Sequence, residues 1–342
     1  MPRLAFTQPA DFLKERDFGQ KLEATFDFVR AHFRPLGKCL LYIVLPMALL
    51  SGLANGLFQY YLGSSFLQRY STANGDGYKS SWSLVSTMLS SPLYIVLALT
   101  GFVTISFMIL TVYGYMVLRL RNEDPTTEVT VPEVWALVRS RLLGTIGAMV
   151  GLALFIGLLA SPFFLFVVLA AQQQFTALGF LGLLTPFLNI AILYVVVALS
   201  LFFIIWVREE RGFLATLRRC FYLIWGKWWS TFGLIFVLSI ILGILASVIV
   251  VPVSLLNAWS IFSTHETPLS PILTVAANAL STFVMLFIYP LIFIGLAFQY
   301  FNLVERKDGE GLHSLVDRIG QPAQPVPLHP TDHYRPEEEG DY

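Results

Sequence analysis

The sequence predicts an all-α polytopic membrane bundle of six transmembrane helices, and three observations carry that expectation. Of the 22 Lys and Arg residues in 342, 20 fall in the segments 1–38, 119–141, 208–227 and 305–342, and only Arg69 and Lys79 lie elsewhere. From Leu142 to Val207, 66 consecutive residues carry no formal charge. Hydrophobic residues make up 56% of the chain and charged ones 13%, against about 25% charged in soluble proteins. A water-exposed surface needs charge; a lipid-exposed one does not. The formal net charge is zero, so no nucleic-acid partner is expected.

A hydrocarbon core about 30 Å thick takes about 20 apolar helical residues to cross. The first run covers about 39–61, and the second, entered at Pro92, about 93–118. The charge-free block is too long for one helix and breaks at Ala171-Gln172-Gln173-Gln174, with Gly179 beyond, giving spans at 143–170 and 180–206. The fifth span covers 230–255 and ends in the polar stretch of His265, Glu266 and Pro268; the sixth covers 275–304. Residues 1–16 then read as an N-terminal tail, 17–320 as the membrane domain and 321–342 as a disordered Pro-rich, acidic tail. The 38 mixed-charge residues before the first run are too long for a cleaved signal peptide.

Six spans place both termini on one side, together with loops 2–3 and 4–5. The Lys and Arg counts there are 7, 4, 5 and 4, against 2, 0 and 0 opposite. Basic flanks resist translocation, so both termini are expected in the cytoplasm. Trp228 and Trp229, with Tyr222, Trp225 and Lys227, mark the headgroup layer before span five.

A threefold pattern runs along the chain. Around Arg30, Arg139 and Arg218, apolar residues recur four before, one before and three after: Phe26, Val29, Phe33; Trp135, Val138, Leu142; Leu214, Leu217, Phe221. These spacings give one helical face, and the three arginines mark interfacial amphipathic helices, each followed by a hairpin of spans. Thr130-x-x-Glu133 is a capping box opening the second helix. An internal repeat of three parallel units and the shared physics of interfacial helices both account for the pattern. In the first helix Phe18, Leu22, Phe26, Val29 and Phe33 form the apolar stripe.

Within the spans, small residues recur at Gly52-x-x-x-Gly56, Gly147-x-x-x-Gly151 and Ser239, Gly243, Ser247. Lipid tails compete equally for apolar side chains, so close backbone approach at such positions favours helix packing. Gly147 and Gly151 are the expected contact in span three. Prolines 46, 162, 186, 252 and 290 are expected to bend their helices. The polar residues at depth include Asn55, Asn189, Asn278 and Gln299; Asn189, the most central, is expected to bond a neighbouring helix or to line a path.

No pair of the five histidines has metal-ligand spacing within a helix, and Cys39 and Cys220 read as free thiols. No nucleotide loop, nucleophile–base pair or buried carboxylate appears, so neither a cofactor nor a catalytic residue is expected.

The segments Gly212-Phe213-Leu214-Ala215-Thr216-Leu217-Arg218-Arg219 and Gln299-Tyr300-Phe301-Asn302-Leu303-Val304-Glu305-Arg306-Lys307, with the amphipathic continuation from Gly309 to Gly320, carry a resemblance. Over about residues 20–320 the chain resembles the six-span membrane domain that accompanies some bacterial glycerophosphoryl diester phosphodiesterases, and related bacterial membrane proteins. No phosphodiesterase domain is expected in the 38 residues that follow Val304, so no catalytic group carries over. The resemblance implies a scaffold in the bacterial cytoplasmic membrane. The function expected is a non-enzymatic scaffold or accessory protein acting on membrane lipids or other membrane proteins; the alternatives are a transporter or lipid-translocating protein and, third, an intramembrane enzyme.

Overall fold

The computed structural model describes residue 6 and residues 9–72, 90–122, 128–171, 175–262 and 270–319. Among them no strand occurs, and six helical stretches are long and apolar enough to cross a membrane: Phe18–Tyr61, Pro92–Arg121, Val131–Phe166, Leu184–Glu209, Trp228–Trp259 and Ile272–Asp308. The protein is therefore an all-α, multi-pass membrane bundle. Its helices are α1 (Pro9–Phe12), α2 (Phe18–Cys39), α3 (Leu45–Thr72), α4 (Pro92–Arg121), α5 (Val131–Ala171), α6 (Phe175–Leu199), α7 (Phe202–Glu209), α8 (Phe213–Ile224), α9 (Trp228–Phe262), α10 (Ser270–Ile288), α11 (Pro290–Asp308) and α12 (Glu310–Ile319). Each span packs on the next, and span six returns against span one, closing the bundle.

The three amphipathic segments meet their spans differently. α2 runs into α3 through one π-helical stretch, Leu40–Val44, in which the Leu45 amide bonds the Leu40 carbonyl five residues back. Pro46 accounts for it: a proline lacks the amide hydrogen and crowds the carbonyl four residues earlier, and a π-bulge relieves both. α5 begins at Val131 and continues unbroken into span three, with the Thr130 amide donating to Glu133 Oε2 at 3.4 Å. Only the third segment, α8, is a separate helix. Trp225 leaves helical geometry with ψ 120°, and Gly226 takes φ +80°, a conformation cheap for glycine alone. The orientations agree nonetheless, since Arg30, Arg139 and Arg218 all point outward with Phe26, Trp135 and Leu214.

Span six is divided, its second half opening at Pro290. Span four is interrupted at Ser200 rather than at Pro186, which α6 accommodates. Ser200 Oγ donates to the Val197 carbonyl at 2.8 Å, competing with the helical amide for that acceptor. The helices flanking the glutamine triplet end at Ala171 and restart at Phe175; the triplet, the stretch 263–269 and the tail 321–342 lie outside the described residues.

The core lies toward the end that carries the basic loops, where Phe28, Tyr113, Tyr115, Phe202, Phe298 and Tyr300 are at most 1% exposed. Toward the other end apolar side chains such as Leu158, Val248 and Leu255 face outward, as a lipid solvent permits. Part of the stretch expected as a tail belongs to this core. Phe12 is wholly buried, 6.2 Å from the Phe298 ring and 6.0 Å from that of Phe28. Arg16 is buried too, its amide donating to Asn302 Oδ1 at 2.8 Å and its guanidinium lying over Phe298. The Phe12 side chain completes an aromatic cluster, and that burial orders the segment.

Candidate functional site

Gly52 and Gly56 set the geometry of the site. A Cβ on Gly56 would stand 2.8 Å from Val275 Cα, and one on Gly52 would stand 3.1 Å from Ala279 Cα. Spans one and six therefore touch backbone to backbone, as this glycine pair predicts. On the opposite wall, Gly101 of span two and Gly243 of span five have nothing within 4 Å of where a Cβ would be. Small residues there leave a void instead of making a contact. Between spans one, two, five and six the result is a cavity of about 860 Å³, within the size range of sites for small molecules.

Its walls are mostly apolar, and among the described residues no charged one lines it. Its polar groups converge on Asn278, which is 4% exposed. Asn278 Nδ2 donates to the Thr274 carbonyl at 2.8 Å and to Asn257 Oδ1 at 3.3 Å, and its Oδ1 accepts from Asn55 Nδ2 at 3.4 Å. Ser51, Asn55 and Gln59 follow one another at four-residue spacing along span one and all line the cavity. Amides and hydroxyls on apolar walls can hold a neutral polar group by hydrogen bonds and an alkyl chain by contact.

The expected site residues are placed less favourably. Asn189 is exposed and donates to the Thr185 carbonyl of its own helix at 2.9 Å, so among the described residues it neither bridges helices nor lines this cavity. Gly147 is exposed with nothing within 4 Å of a Cβ position, and the expected backbone contact there does not form. Gly151 backs onto the Phe213 ring, 3.0 Å from a Cβ position, rather than onto a neighbouring backbone. Trp229 is exposed, whereas Trp228 turns inward, stacks on Tyr194 and donates to its carbonyl at 3.3 Å. Asn257, Ser51 and Gln59 were not singled out from sequence; the four-residue polar spacing on span one was the available signal.

The basic end is closed by an ion-pair network joining span four, α8, span six and α12. Glu209 Oε1 accepts from Arg219 Nε at 3.1 Å and from the Tyr300 hydroxyl at 2.8 Å. Arg219 also pairs with Asp308, and Arg208 pairs with Glu310 at 2.7 Å. Burial works against the charge on Arg219, but Asp308 and Glu209 outweigh it and raise its pKa. Burial also pushes the Cys220 thiol up to about 12. Among the described residues no cluster of three or more His, Cys, Asp and Glu could hold a metal ion.

Comparison with family models, with curated proteins and with solved structures finds no match.

Proposed function

We propose that the protein holds a neutral amphipathic molecule, a lipid or lipid-like compound, in the cavity between spans one, two, five and six. In this reading it is a non-enzymatic accessory protein of the bacterial cytoplasmic membrane, with its basic end toward the cytoplasm. The observation that carries the proposal is the cavity of about 860 Å³, without charge among its described lining residues, and its amide cluster at Asn55, Asn257 and Asn278. Amides in an apolar wall favour a ligand group that hydrogen-bonds without charge, because a bare ion there would be costly to desolvate.

Translocation is the second reading. The π-helical stretch Leu40–Val44 and the Tyr289–Pro290 break interrupt spans one and six, the two spans that meet beside the cavity. Such interruptions can act as hinges, and transit would require the ion-paired basic end to part.

The test is native mass spectrometry of protein released from native membranes. Wild type should retain one non-covalent ligand, which the double variant Asn55→Leu/Asn278→Leu loses and Asn189→Leu keeps. Equal retention by all three would remove the cavity as the binding site. Transit is read separately, as movement of labelled lipid across proteoliposomes.

A further inference from the structure

A second cavity, of about 300 Å³, lies at the basic end. Residues 30–35 of α2 form one wall; Tyr115 and Arg119 of span two, with Glu128 and Val129 ahead of span three, form the others. Among the described residues, three arginines, Arg30, Arg34 and Arg119, line this cavity with one carboxylate, Glu128. Arg119 is 2% exposed and its Nε donates to the Phe6 carbonyl at 3.4 Å. His32, also buried, shares a 2.9 Å hydrogen bond with the Tyr115 hydroxyl. Arg30 and Arg34 are exposed, lie one helical turn apart, and form no ion pair among the described residues.

A concave surface with excess positive charge concentrates anions, and guanidinium forks match phosphate oxygens in pairs. Phe33, 58% exposed, lines this cavity and also borders an apolar groove with Leu36, Leu40 and Leu291. Phe18 and Phe26 on the same helix are 41% exposed. An apolar chain joined to a phosphate therefore has surface to lie on, and a free phosphate would leave that surface unused. We propose that this cavity holds the phosphate of an anionic phospholipid headgroup. Basic pockets between spans at the membrane surface bind such headgroups. The proposal does not depend on the amide-lined cavity having a ligand.

The experiment measures binding to the full-length protein in neutral detergent, titrated with phosphatidylglycerol, with phosphatidylcholine and with inorganic phosphate. Wild type should bind phosphatidylglycerol and gain thermal stability from it. Phosphatidylcholine should bind far more weakly, and millimolar phosphate should not reproduce the gain. Each arginine near an anionic headgroup contributes about 1 kcal/mol, about fivefold, so Arg30→Gln/Arg34→Gln should bind about 30-fold more weakly. The charge-matched control Arg139→Gln/Arg218→Gln, away from the cavity, should bind as wild type. If the first pair does not fold, Arg34→Gln alone, expected about fivefold weaker, carries the test. Equal loss in both pairs would reduce the effect to general surface charge and overturn the site. An equal response to inorganic phosphate, dependent on Arg30 and Arg34, would overturn the lipid as its source.

Discussion

Gly56 lies so close to Val275 that a single added methyl would stand 2.8 Å from the valine Cα. That contact fixes the separation of spans one and six, and with it one wall of the amide-lined cavity. Gly56→Val should destabilise the protein by about 1–3 kcal/mol, because backbone cannot yield as a flexible side chain can. Gly147→Ala, with nothing near, should stay within about 0.5 kcal/mol. Thermal unfolding in detergent distinguishes them, and equal melting would refute the contact.

Asn278 serves two neighbours, and Asn189 only its own helix. Asn278→Leu should cost about 1 kcal/mol, the order of an interhelical hydrogen bond in a membrane, while Asn189→Leu should leave stability unchanged. Reversal of that order in unfolding measurements would place the polar contact elsewhere.

Arg219 ties α8 to the ends of spans four and six through Glu209 and Asp308. Its side chain is 14% exposed, so removing it takes a cation from two carboxylates in a partly dry site, with Glu209 keeping Arg211 and the Tyr300 hydroxyl. Arg219→Gln should destabilise by about 3 kcal/mol, and adding Glu209→Gln should recover part of that loss. Strict additivity of the two substitutions would show that the pair is uncoupled.

Glu210 accepts hydrogen bonds from Arg121 and Arg141, which hold its carboxyl below the ordinary value of 4.5. A depressed folded-state pKa means the contribution is present in full above the ordinary value. It is lost as pH falls through the lower one. The carboxylate is half exposed, so solvent screening keeps the effect small. The melting temperature of wild type should therefore approach that of Glu210→Gln as pH drops below 4.5. A gap that persists or widens on acidification would contradict the sign.

Both native thiols, Cys39 and Cys220, are buried, so an engineered cysteine reports alone. With the basic end in the cytoplasm, an impermeant maleimide added to intact cells should label Gly75→Cys and spare Pro325→Cys. Labelling of position 325 would invert the orientation.

The membrane class, the number of spans and the segregation of basic residues were all legible in the sequence, because hydropathy and charge are local properties that need no partner. So was the glycine pair at 52 and 56. The facing of each helix was not. In a soluble protein polar residues mark the outer face, but the interior of this bundle and the lipid around it are equally apolar. Spans three and five are apolar all round, and nothing along them says which side meets a neighbour. Gly147 and Gly56 sit in similar motifs, yet only Gly56 finds a backbone opposite. The burial of Phe12 and Arg16 likewise depended on an aromatic cluster built from distant segments. The sequence alone determined that this chain crosses a membrane six times and where its charges gather. Tertiary packing decided which small residues make contacts and which leave the cavity, because helix rotation is fixed by neighbours rather than by hydropathy.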